Sequence, residues 1–103
     1  MLGFTNIGSA ADGSLGYPRW NPPTGGLVQR AKDAIAIART VWIAAHPDTP
    51  VGDEQAWEMS MAATLHGDTW EVAQKIGPGV QGGGPIILIS KTDGRIDGIY
   101  MTQ

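Results

Sequence analysis

Between Leu27 and His46, apolar side chains recur at three- and four-residue steps: Ala31, Ala34, Ile35, Ala38, Val41, Trp42 and Ala45. This spacing places them on one face and predicts a single amphipathic helix over 27–46. Thr24 offers an N-cap and Pro47 a stop. A loop, HPDTPVGDEQ, follows. In WEMSMAATL the period changes to two, with Trp57, Met59, Met61, Ala63 and Leu65 alternating with Glu58, Ser60, Ala62 and Thr64. That is the mark of a half-buried strand. Gly67-Asp68 is a two-residue hairpin loop in this reading. It sets Leu65 opposite Trp70, Ala63 opposite Val72 and Met59 opposite Ile76, with Thr64 opposite Glu71 and Ser60 opposite Lys75 on the other face.

The last segment, PIILISKTDGRIDGIYMTQ, reads as a second hairpin turning at Asp93-Gly94 in a type I′ turn. Ile87 then faces Tyr100, Leu88 faces Ile99 and Ile86 faces Met101. Both faces of this ribbon are apolar, so both are expected to be covered. Residues 1–26 form a Gly- and Pro-rich arm, in which YPRWNPPTGG excludes helix. Leu2, Phe4, Ile7, Leu15, Tyr17 and Trp20 are many apolar residues for a free tail, so part of the arm is expected to pack on the body. Trp20 anchors the arm in this reading, or else stands as an exposed interface aromatic.

At 103 residues the chain suits one domain, and 42% hydrophobic against 17% charged residues suits a folded one. The net charge of -3 and the lack of a basic stripe argue against nucleic acid as a partner. There are no cysteines, hence no disulfides and no thiolate metal sites. No apolar run is of membrane-spanning length, and MLGFTNIGSAADGSLGY lacks the basic and apolar regions of a signal peptide. The expectation is a cytoplasmic protein.

GPGVQGGGP fits G-x-G-x-x-G through Gly77, Gly79 and Gly82. A phosphate cradle needs a helix after the glycines, and here Pro85 leads into a strand. No Lys-Ser or Lys-Thr follows, so a P-loop is excluded as well. The segment reads as a link between hairpins. His46 at the helix end complements the helix dipole, and His66 sits beside the hairpin loop. The two are not at metal-ligand spacing. Asp48, Asp53 and Glu54 share a loop without the ligand density of a calcium site. Ser60 and Ser90 lack a base and a nucleophile elbow, and Asp97 faces Ser90 as an exposed cross-strand pair. No catalytic residue, metal ligand or cofactor site is assigned.

The order of AIAIARTVW, GDTWEV, GPGVQGGGP and IILISKTDGRIDGIYMTQ resembles the small bacterial immunity proteins of the nuclear transport factor 2-like fold. The resemblance covers residues 27–103 and leaves the arm of 1–26 outside it. Where that family often carries a His-Gly pair near the C-terminus, this chain has Met101-Thr102, so no role of that histidine is carried over. The resemblance implies an α+β domain: one main helix on a curled antiparallel sheet of about four strands in two hairpins, shaped as a cone or roll. It also implies a non-enzymatic protein that neutralises a cognate toxin domain of a polymorphic toxin system by occluding its active or substrate-binding surface. An acidic chain steers onto a basic toxin. The candidate contacts are the loop acids Asp48, Asp53 and Glu54, and a polar sheet face with Glu58, Thr64, Glu71 and Lys75. The alternative is a small ligand-binding protein or enzyme of the same broad fold. A monomer is favoured, although the doubly apolar hairpin offers an edge for self-pairing.

Overall fold

The computed structural model describes residues 15–76 and 83–102. Its first helix, α1, spans Ala31–Ala45 and so begins later than the apolar spacing predicts. The cause lies in Gly25 and Gly26, at φ 90 and 100, which turn the chain away from helix. Leu27 and Val28 then bond outward: the Leu27 N–H donates to the Thr92 carbonyl at 2.9 Å, and that of Val28 to Lys91 at 3.0 Å. Arg30, not Thr24, is the N-cap; no side chain caps the backbone there, and Arg30 instead donates to the Asp33 carboxylate at 2.8 Å. Within α1 the predicted face holds, with Ala34, Ile35, Ala38 and Trp42 buried.

A second helix, α2, spans Glu54–Ser60 and replaces the first part of the predicted strand. Asp53 caps it, its carboxylate accepting from the Ala56 N–H at 2.8 Å. Trp57 is buried there, while Met59 is 67% exposed. The expected pairing of Met59 with Ile76 is therefore absent. Lys75 does meet Ser60, through its N–H to the Ser60 carbonyl at 2.9 Å.

Four antiparallel strands follow in the order β1 (Met61–His66), β2 (Thr69–Gln74), β3 (Gly84–Ser90) and β4 (Ile96–Thr102), a meander that does not close into a barrel. The β1–β2 register is as predicted: Leu65 pairs with Trp70, Ala63 with Val72 and Thr64 with Glu71. The β3–β4 register is one residue off. Ile86 pairs with Tyr100, Ile87 with Ile99 and Leu88 with Gly98. The predicted two-residue turn fails because Asp93 does not adopt the positive φ that a type I′ turn requires; only Gly94 does, at 77. The connection is longer, closed by Ser90 N–H to Arg95 carbonyl at 2.8 Å and Gly94 N–H to Ser90 carbonyl at 2.9 Å. Lys91 is held elsewhere, its N–H on the Asp68 carbonyl at 2.7 Å and its carbonyl on Val28. A bulge between Leu88 and Ile89 absorbs the remaining offset. Asp97 accepts from Arg95 Nε at 2.8 Å rather than facing Ser90.

The Arg95 backbone N–H, followed by the Ser90 side chain, holds the Asp93 carboxyl below its usual range. A depressed carboxyl adds stability that is fully present above the ordinary carboxylate range and is lost as pH falls through the lowered value.

α1 lies on one face of the sheet, over β1, β2 and β3. Between them Trp42, Trp57, Met61, Trp70, Val72, Ile87 and Ile89 form the core with the helix alanines and Val28. In the described part of the arm Leu15, Tyr17 and Trp20 are 85%, 76% and 59% exposed, so Trp20 is no anchor; the expectation for Leu2, Phe4 and Ile7 lies outside the described residues. The first buried residues among those described are Gly26 and Val28. The rest of the arm, residues 1–14, and most of the glycine-rich link, 77–82, lie outside the described residues. No helix among the described residues is long and apolar enough to cross a membrane.

A β-carbon at Gly26 would lie 2.6 Å from the Lys91 carbonyl oxygen, at a φ that side-chain-bearing residues rarely adopt. Gly26→Ala is expected to destabilise the fold by about 1–3 kcal/mol from backbone strain alone. The urea midpoint against wild type measures this, and an unchanged midpoint contradicts it.

Candidate functional site: the open face of the sheet

With α1 on one side, no element among the described residues covers the other side of the sheet. The alternation of the strands decides what it displays. One row across it runs Thr64, Glu71, Leu88, Gly98, and the next runs Ala62, Ala73, Ile86, Tyr100. Leu88 and Ile86 are half-buried and Tyr100 is 52% exposed. Among the described residues nothing supplies the cover expected for this face of the last hairpin; residues 1–14 and 77–82 lie outside them.

Tyr100 and Gly98 act together. A β-carbon at Gly98 would lie 2.5–2.7 Å from ring atoms and the hydroxyl of Tyr100, so the ring lies along its own strand over the glycine. Gly98 has no unusual φ; it is needed for space. The result is a low apolar platform on β3 and β4. Beside it, His66 Nε2 and Glu71 Oε1 meet at 2.9 Å, both side chains substantially exposed.

The sequence-predicted contact residues separate onto two surfaces. Thr64 and Glu71 are on the open face, and Lys75 lies just beyond the end of β2. Asp48 and Asp53 are in the loop on the helix side. Glu58 belongs to α2 and not to a sheet face, and with Glu54 it lines a cleft of about 250 Å³ between the helices, with Lys32, Arg39 and Trp57. Arg39 donates to the Gly52 carbonyl at 2.9 Å, while its Nε is buried and unpartnered. The loop acids and the sheet residues therefore lie on different surfaces, and Glu58 joins the former. Sequence reasoning missed that half-buried Ile86, Leu88 and Gly98 share a face with exposed Tyr100. Their mixed spacing was visible, but a two-residue turn assigned them partners one position away.

A second hollow, of about 280 Å³, is apolar, with Trp42, Pro50, Val51, Trp57, Met61 and Met101 in its walls. His46 stacks on Trp42 with ring centroids 3.9 Å apart. That contact, and its N–H to the Trp42 carbonyl at 2.8 Å, account for its place at the helix end. Among the described residues no three His, Asp or Glu side chains gather closely enough to hold a metal ion.

Comparison with protein-family models, curated proteins and solved structures finds no match.

Asp53 and Glu54 are adjacent acids with different work. Asp53→Ala is expected to cost about 0.5–2 kcal/mol of stability through loss of the cap, whereas Glu54→Ala leaves stability nearly unchanged. Paired thermal melts measure the difference, and equal losses contradict the assignment.

Proposed function

We propose that this chain is an immunity-type binding protein, which neutralises a cognate bacterial toxin domain by covering its active or substrate-binding surface. The observation that carries this reading is the sheet face left open among the described residues, where Ile86, Leu88 and Tyr100 form an apolar centre beside the Glu71 carboxylate. An apolar centre with a polar surround suits a protein partner, because the centre supplies desolvated contact area and the edge supplies specificity. A carboxylate beside it and a net charge of -3 suit a basic partner. The order of elements that resembles small immunity proteins agrees with this. Thr64 and Glu71 are its contacts, and Glu54 and Glu58, on the helix layer, are not.

The apolar hollow at Trp42 and Met101 favours a second reading, a small ligand-binding protein.

The test begins with capture from the native host on the immobilised chain, followed by mass spectrometry of what is retained. A stoichiometric toxin-like domain, whose growth arrest is relieved by co-expression of this chain, supports the first reading. With that partner, Glu71→Lys is expected to weaken binding about tenfold, and Glu54→Lys to leave it unchanged. No partner, together with a monomer that retains a small molecule, overturns the immunity reading in favour of the second.

A further inference from the structure

β4 is the last strand of the sheet, so among the described residues its outer backbone N–H and C=O groups have no strand beside them. Such an edge pairs with another strand unless charge, proline, a bulge or a covering element blocks it. On β4 the blocking devices sit at one end only. The bulge and the Arg95–Asp97 ion pair, at 2.8 Å, occupy its start. The remainder, Gly98-Ile99-Tyr100-Met101-Thr102, carries no charge and no proline. α1 lies over the other three strands and barely reaches this one, leaving Met101 56% exposed on the helix side. The opposite edge, β1, differs: α2 runs directly into it and α1 lies across it.

We infer that the β4 edge pairs with β4 of a second copy, antiparallel and centred on Ile99, giving a two-fold dimer with one continuous sheet. The strand's own sequence supplies the match. An antiparallel pairing about Ile99 places Tyr100 opposite the partner's Gly98, and Gly98 opposite the partner's Tyr100. Each tyrosine ring already lies over its own Gly98. The two glycines open the room in which the two rings pass side by side across the two-fold. No like charges meet, because Asp97 falls opposite the partner's Met101. The two-fold stands perpendicular to the sheet, so both open faces lie on the same side and stay accessible.

The experiment is sedimentation of the isolated full chain over a wide concentration range, without any toxin, so its outcome is separate from that of partner capture. A reversible dimer is expected. Tyr100→Lys changes an exposed side chain, so the fold persists while charge enters the pairing. It is expected to weaken the dimer about tenfold or more. Because the chain has no cysteine, Ile99→Cys reports the register: the paired thiols lose two electrons and two protons to added diamide and form one intermolecular disulfide. A monomer at every concentration up to the millimolar range overturns the inference. So does a dimer that is indifferent to Tyr100→Lys and that diamide leaves unlinked in the Ile99→Cys variant, since that dimer uses another surface.

Discussion

Two buried indole N–H groups hold this fold in register. Trp70 Nε1 donates to the Val28 carbonyl at 2.7 Å, across 42 positions of sequence, and Trp57 Nε1 donates to the Ile35 carbonyl at 2.9 Å. Each satisfies a polar atom that burial would otherwise strand, and a stranded one costs about 1–3 kcal/mol. Their positions matter as much as their strength. Trp70 ties the sheet to the segment entering α1, and Trp57 ties α2 to the body of α1. With Trp42 buried between them, both helices are committed to one side of the sheet. The open face follows from that commitment.

The parts legible in the sequence were those fixed by local rules. The α1 face could be read because its alanines and Trp42 repeat at helical steps. The β1–β2 register could be read because Gly67, at φ 61, sits at a tight turn. The failures came where tertiary contacts overruled a local signal. Trp57, Met59 and Met61 alternate as a strand would, yet a cap at Asp53 and the indole bond of Trp57 select a helix. Asp93-Gly94 carries a strong hairpin signal, but Lys91 and Thr92 are engaged by Asp68, Leu27 and Val28, so the turn lengthens and the register moves by one. With a period of two, that single step exchanges the faces. It is the reason the exposed group around Tyr100 was hidden from sequence reasoning, whereas Glu71, paired by the simpler turn, was placed correctly.

The candidate acids divide between a helix-side cleft and the sheet face, with Glu58 on the helix side and not on the sheet, and among the described residues the sheet face combines a carboxylate with an open apolar centre. One fold hosts many functions, so the account rests on that face and not on architecture. Its space-giving element is Gly98, which lets Tyr100 lie flat. The exposed arm from Leu15 to Trp20 adds aromatic surface, though no contact in the structure ties it to the face.

The most direct measurement is amide mapping by nuclear magnetic resonance of the labelled chain, free and with the proposed toxin-domain partner. The account predicts that shifts concentrate on Thr64, Glu71, Ile86, Leu88 and Tyr100, with α1 and α2 quiet. Shifts confined to Asp48, Glu54, Glu58 and the inter-helix cleft, with the sheet face silent, would contradict it.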